Sequence, residues 1–229
     1  MKLSKAVGFL FRATIVAVFI SGLLSGSLLA KDKLPEVDSD GLHLVKKSKV
    51  RVAYMKPGTD LSQYSKVKLL DCYVDFVKNW ERDYNFDQVG LSGRIRDKDA
   101  EAIKTKLAAE FGKEFTKVLT EKGFPVVDDA GPDVLLLRPA LINVDVAAPD
   151  IMTAGIQNTY VRSAGSMTLY MEMYDSATNT LIARVLDPQA DDDGFAERAN
   201  RVTNKAAADR MLRHWAELLA KNLGHVTQK

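Results

Sequence analysis

The chain contains a single cysteine, Cys72, among its 229 residues. One cysteine excludes an internal disulfide and any metal centre that is built on several cysteines. The sequence also lacks a glycine-rich dinucleotide motif, a phosphate-binding P-loop, an HExxH zinc motif and a GxSxG nucleophile elbow. These are common sequence signatures of enzymes and cofactor-binding proteins. We therefore expect no cofactor and no metal, and no catalytic residue can be named from a motif.

An excess of charge of one sign is also missing. The chain has 32 Lys and Arg against 30 Asp and Glu. Three of the cations, Lys2, Lys5 and Arg12, lie in the first 30 residues, and the remainder has 29 Lys and Arg against 30 Asp and Glu. A near-neutral chain offers no electrostatic basis for nucleic-acid binding, so we expect no nucleic-acid partner.

A long apolar run occurs only at the N-terminus. Three cations precede the apolar stretch Ala13–Leu24, and small residues follow up to Ala30. This pattern predicts a secretory signal peptide over residues 1–30, cleaved after Ala30, and a periplasmic or secreted protein without a stable membrane anchor. The alternative is an uncleaved inner-membrane anchor, because Ala13–Ala30 has 18 residues, the lower limit for a span. Serines and glycines within the run favour cleavage.

The hydrophobic periodicity of the remaining chain predicts an α+β protein. The predicted elements are strand Val67–Phe76, helix Asp97–Lys122, strands Phe124–Val127 and Val134–Val146, hairpin strands Ser166–Tyr174 and Leu181–Leu186, and helix Asn204–Leu223. Cys72 lies on the apolar face of the first strand, and Pro139 predicts a bulge or an edge in the third. We expect a tether over residues 31–40 and one domain over residues 41–226. That domain is expected to be a two-layer sandwich, with a mixed or antiparallel sheet of about five strands and two helices on one face.

The segment Asn79–Arg96 is the candidate binding segment. It combines Trp80, Arg82, Tyr84 and Arg94, which are the residue types that dominate binding energy at protein interfaces. Together with the loop 147–164, it predicts a non-catalytic module that binds an envelope protein or polymer; the sequence does not give the oligomeric state. The alternative structural interpretation is that Trp80 belongs to a lid packed on the sheet.

A hydrolase is the second candidate function. It requires carboxylates that are separated in sequence to meet in the fold, and Asp71, Asp75 and Asp145 are the candidates. Converging carboxylates in a concave pocket would favour this enzyme, whereas a flat aromatic surface would favour binding.

Three stretches of the sequence resemble a bacterial family, the domain of unknown function 3313. They are residues 55–64, the following strand 66–76, and residues 164–167 together with the turn 175–179. The resemblance implies a secreted envelope α+β domain, since most members are lipoproteins, and it brings no catalytic residues. This chain departs from the family in lacking the lipobox cysteine. It also carries Asn179 where members usually have glycine.

Export gives the first testable prediction. We predict that the protein recovered from the periplasmic fraction begins after Ala30, because the leader is cleavable and no cysteine is available for lipid anchoring. N-terminal sequencing of fractionated protein measures this. An intact chain beginning at Met1 in the inner membrane would contradict it.

Overall fold

The computed structural model describes residues 33–86, 94–146, 159–161, 165–190, 197–199 and 201–224. Its strands are β1 His43–Leu44, β2 Val52–Met55, β3 Lys66–Leu69, β4 Tyr73–Phe76, β5 Val134–Val146, β6 Thr159–Val161, β7 Gly165–Asp175, β8 Thr180–Ala190 and β9 Glu197–Ala199. Its α-helices are α1 Trp80–Phe86, α2 Asp97–Glu121 and α3 Arg201–Gly224. No helix of these residues is long and apolar enough to cross a membrane.

The main sheet is mixed and larger than the sequence predicts. Seven strands form it in the order β1-β2-β8-β7-β5-β3, and β4 also pairs with β5. β5 runs antiparallel to β7 and parallel to both β3 and β4. The α+β class is thus correct, but the expected strand count of about five and the helix count of two are wrong for the described residues. The additional elements are β1 and β2 at one edge, the splitting of one predicted strand, and the short helix α1. The predicted strand Phe124–Val127 is wrong, because this stretch forms only an isolated bridge between Val126 and Val67.

The predicted strand Val67–Phe76 is broken between β3 and β4. Cys72 and Val74 are buried as expected, but Leu70, assigned to the same face, is 38% exposed. Residues 70–72 leave the strand conformation before the chain resumes pairing with β5 at Tyr73. A strand break of this kind resets the alternation of side chains, so one period-2 pattern cannot describe both halves.

Pro139 lies opposite this break. The prediction that it marks an edge or a bulge holds on one side only, because Pro139 pairs with Met171 on β7 but with no residue of β3 or β4. The carbonyl of Leu137 accepts the N–H of Leu70 at 3.0 Å, and alternation turns the backbone nitrogen of Pro139 to the same side. There it faces the break between β3 and β4. The actual irregularity of β5 lies between Ile142 and Asp145.

One face of the sheet carries the hydrophobic core. The alternate residues Met167, Leu169, Met171 and Met173 of β7 belong to a single buried cluster, which also contains Phe111 and Phe115 of α2 and Trp215 of α3. Both long helices therefore pack on this face. The indole N–H of Trp215 also donates to the buried carboxylate of Asp187 on β8 at 2.8 Å, which ties α3 to the sheet.

The hairpin between β7 and β8 follows the sequence closely. The Asp175 carboxylate accepts the backbone N–H of Thr178 at 2.8 Å across the turn. Asn179 has φ of 55°, a left-handed conformation that asparagine tolerates better than most residues. The turn therefore accommodates asparagine at this position.

Cys72 gives a prediction about the fold. Its side chain is buried, and burial raises the pKa of the thiol to about 12, so little thiolate forms at neutral pH. We predict slow labelling by a thiol reagent in the folded protein and fast labelling in urea. Cys72→Ser should lower the free energy of unfolding by about 1–3 kcal/mol, the cost of burying a polar hydroxyl in place of the thiol. Equal labelling rates in both states would place Cys72 at the surface.

Candidate functional site

A pocket opens where β4 ends and the helices α1 and α2 begin. Its volume is about 350 Å³, and its lining comes from residues 75–81 and from the first two turns of α2. The turn between β4 and α1 is made by Asn79, whose φ of 65° lies in the left-handed region that asparagine tolerates. Its carbonyl accepts the N–H of Asp83 and starts α1. A tight turn thus places the helix directly beside the end of the strand.

Aromatic rings form one wall of the pocket. Phe76 at the end of β4 and Trp80 at the start of α1 stack with their ring centroids 4.0 Å apart and their planes inclined by 8°. Tyr84, one helical turn later, lies 6.0 Å from Trp80. The ammonium of Lys104 lies 5.6 Å from the centroid of the Phe76 ring, within reach of a cation–π interaction. The rings therefore build a rigid wall with a cation beside it.

Carboxylates dominate the charged lining. The charged residues are Asp75, Lys78, Glu81, Asp97, Glu101 and Lys104. Four acids against two lysines give the lining a formal charge of −2. The Lys104 ammonium lies 3.3 Å from both the Asp75 and the Glu101 carboxylates. Partial burial lowers the pKa of Lys104, but these two hydrogen bonds outweigh it and hold the pKa above its usual value. Lys104 thus stays charged, and its single positive charge is shared between the Asp75 and Glu101 carboxylates.

The predicted anchors occupy different environments. Trp80 is only 5% exposed and forms a small buried cluster with Ile95 and Ala100, as the alternative lid interpretation expects. Tyr84 is half-buried against this cluster. Arg82 is exposed and pairs with the adjacent Asp83 at 2.8 Å. The structure therefore brings Trp80 and Tyr84 into one cluster, and of these two Trp80 lines the pocket.

Arg94 is exposed next to the start of α2. The side-chain amide of Asn85 accepts the N–H of Ile95 at 2.7 Å and donates to its carbonyl at 2.9 Å, so the end of α1 is held beside residue 95. Residues 87–93 of the candidate segment lie outside the described residues. So does the candidate loop 147–164 except for β6. The role of Arg82, Tyr84 and Arg94 in partner binding stays a prediction.

The outer edge of β4 borders the pocket, and sequence reasoning missed it. Among the described residues, no strand pairs with β4 on the side away from β5. Three apolar side chains are exposed along this stretch: Leu70 (38%), Tyr73 (52%) and Val77 (38%). Because the sequence predicts one continuous strand over residues 67–76, it does not indicate a separate edge strand here. The available signal was Pro139, because a proline in a central strand requires a gap opposite its nitrogen.

The carboxylates proposed for a hydrolase do not form a joint site. Asp71 and Asp145 are exposed, and neither contributes to the pocket that Asp75 lines. No hydrogen bond joins any two of the three in the part of the chain that the structure describes. Within the same ranges, no group of three or more His, Cys, Asp or Glu is placed to hold a metal ion.

A second cluster of charged groups lies on the helix-free face of the sheet. The Glu172 carboxylate accepts hydrogen bonds from the hydroxyls of Tyr170 and Tyr174, each at 2.7 Å, and pairs with Arg184 at 3.2 Å. Burial raises the pKa of Glu172, but these hydrogen bonds outweigh burial and hold the pKa below its usual value. Glu172 therefore stays ionised and fully hydrogen-bonded, which suits a structural role.

Arg184 extends this cluster to the N-terminal segment. Its guanidinium lies 2.7 Å from the carboxylates of both Asp38 and Asp40. The Tyr54 hydroxyl on β2 donates to the carbonyl of Pro35 at 2.9 Å. Residues 35–40, which the sequence assigns to a tether, are thus attached to the sheet, while the boundary predicted at residue 41 remains a prediction. These contacts hold the N-terminal segment against the sheet.

Comparison with solved structures finds remote likenesses. A PelC dodecamer from Paraburkholderia phytofirmans aligns with a TM-score of 0.36 and 10% identity, over 73% of this chain and 96% of that chain. A DUF4136 family protein from Bacteroides thetaiotaomicron gives 0.36 and 11%, over 75% and 95%. A PDZ domain protein from Parabacteroides distasonis gives 0.37 and 12%, over 77% and 35%. At such TM-scores and identities, these likenesses support no inference about function.

The family of the chain follows from its sequence. No curated protein matches the chain significantly. The model of a family described as "Protein of unknown function (DUF3313)" matches residues 37–219, which is most of the chain. The matched region includes the main sheet, α2 and nearly all of α3. The chain therefore belongs to the DUF3313 family.

Proposed function

We propose that this protein is exported to the cell envelope and acts there as a non-catalytic binding module. The N-terminal sequence pattern supports export by a cleaved signal peptide. The partner is an envelope protein or polymer, and the binding site is the pocket between β4, α1 and α2 together with the adjoining edge of β4.

The pocket lining is the observation that carries this proposal. A rigid aromatic wall beside an excess of carboxylates is suited to hold a partner group that is apolar along its length and positively charged at its end. Of the four acids, Asp75 and Glu101 pair with Lys104, whereas Glu81 and Asp97 have no ion pair within the described residues. These two acids provide the attraction for a cationic group.

The alternative of a periplasmic hydrolase has weaker support. General acid–base catalysis by carboxylates needs two of them close to one reacting bond, in environments that separate their pKa values. Of the three candidate carboxylates, only Asp75 lines this pocket. The acids of the pocket are salt-bridged or open to solvent, which favours binding over proton transfer.

The proposal predicts that neutralising the two unpaired acids weakens partner capture. In the variant Glu81→Gln/Asp97→Asn, capture of the envelope partner by the immobilised protein should fall about tenfold or more, equivalent to about 1.4 kcal/mol. The reason is the loss of charge complementarity at the pocket. Pull-down from envelope extract, followed by quantification of the bound partner, measures this.

One control variant and one stability measurement separate binding from folding. Glu121→Gln/Asp129→Asn removes the same charge from exposed positions outside the pocket lining and should leave capture unchanged. Trp80→Ala should lower the free energy of unfolding by about 3–5 kcal/mol, as truncation of buried aromatics does. Equal capture by the wild type and the Glu81/Asp97 variant, at equal folded fraction, would reject the pocket as the binding site.

A further inference from the structure

We infer that the outer edge of β4 accepts an extended segment of a partner protein as an additional strand, with a basic residue of that segment opposite Asp75. This inference rests on the proposed function and names the kind of partner that the site takes. Strand addition to an exposed sheet edge is a common form of peptide recognition, in which backbone hydrogen bonds provide affinity and side chains provide specificity.

The backbone of β4 has hydrogen-bonding groups available on its outer side. Val77 donates its N–H to the carbonyl of Val144 at 3.0 Å, so Val77 faces β5. Because backbone groups alternate along a strand, Tyr73 and Asp75 also face β5, whereas Val74 and Phe76 face outward. No strand within the described residues takes up these outward groups.

Asp75 occupies part of this edge in the free protein. Its carboxylate accepts the outward N–H of Phe76 at 3.1 Å, and the same oxygen lies 3.3 Å from the Lys104 ammonium. The Asp75 side chain is 51% exposed, so it can exchange these contacts for others without leaving a buried charge unpaired. A carboxylate placed on an edge strand is a known means of preventing indiscriminate strand pairing.

The Asp75 carboxylate makes it unfavourable for a second copy of the chain to pair with the outer edge of β4. An antiparallel pair of two β4 strands that uses both outward residues places Val74 of one copy opposite Phe76 of the other. Asp75 then lies opposite Asp75 of the second copy, and like charges in directly opposite positions are unfavourable. The edge is therefore unsuited to self-association through β4.

The positions of the β4 side chains define the kind of partner strand that fits this edge. Tyr73, Asp75 and Val77 alternate along one side of the strand, and Tyr73 and Val77 are exposed apolar groups. An antiparallel partner strand with a lysine or arginine opposite Asp75, and an apolar residue two positions to each side, complements all three. The excess of carboxylates in the adjoining pocket further favours the positive charge.

A synthetic peptide tests this inference. The probe is a fluorescent nine-residue peptide with lysine at its centre, valine two positions to either side and threonine elsewhere. Its binding to the purified protein is followed by fluorescence anisotropy. We expect it to bind about tenfold or more tightly than the same peptide with glutamate at its centre, a difference of about 1.4 kcal/mol. In Asp75→Lys this preference should reverse, and in Asp75→Asn it should disappear.

Backbone methylation of the peptide distinguishes strand addition from simple charge attraction. N-methylation of the two threonines beside the lysine should abolish binding, because their N–H groups face Val74 and Phe76. N-methylation of the lysine itself should change the affinity less than about twofold, because its N–H points away from β4. No detectable binding of the lysine peptide, or equal effects of methylation at both kinds of position, would overturn the inference.

The outcomes also separate this inference from the proposed function. If Glu81→Gln/Asp97→Asn reduces capture of the envelope partner but the methylation pattern is absent, the pocket binds a partner by another route and strand addition is wrong. If capture is unaffected by this variant, the proposed site itself fails. Asp75→Asn provides the charge test if Asp75→Lys does not fold.

Discussion

The arrangement of the sheet depends on one backbone position that cannot donate a hydrogen bond. Pro139 lies in the middle of the central strand β5, which pairs with β7 from Leu135 to Val146 apart from the irregularity between Ile142 and Asp145. On the other side, a continuous partner strand would lose a ladder bond opposite the proline nitrogen. The chain instead supplies two short strands, β3 and β4, with a break between them that faces Pro139. This break makes β4 a separate edge strand and exposes Leu70 and Tyr73 beside it.

The two charged clusters of the protein differ in how fully their charges are balanced. On the helix-free face, Glu172 and Arg184 are mostly buried, and Glu172 is surrounded by hydrogen-bond donors, so that cluster holds the sheet and the N-terminal segment together. In the pocket, Lys104 pairs with two acids, and the lining keeps an excess of two negative charges. Unbalanced charge at an accessible site adds little to stability and is available for a partner. The first cluster therefore has a structural role, whereas the second is the site that we propose for binding.

The sequence predicts the local elements better than it predicts their connections. The helix Asp97–Glu121 and the β7–β8 hairpin follow from periodicity and turn residues, which act over a few neighbours. The break at residues 70–72 does not, because its cause is Pro139, far away in the chain. For the same reason the sequence leaves open whether Trp80 binds a partner or packs in a lid, whereas in the structure Ile95 and Ala100 bury it. The location of the candidate site depends on how distant segments pair in the sheet. A single sequence does not show that pairing.

Amide hydrogen exchange at β4 tests the central claim most directly. In the free protein, the N–H of Val74 points outward and should exchange faster than those of Tyr73 and Asp75, which face β5. When the lysine-centred peptide binds as an added strand, exchange at Val74 should slow by about tenfold or more, while exchange at Tyr73 and Asp75 should hardly change. If Val74 is already protected in the free protein, or stays unprotected when the peptide is bound, the edge of β4 is not the binding site.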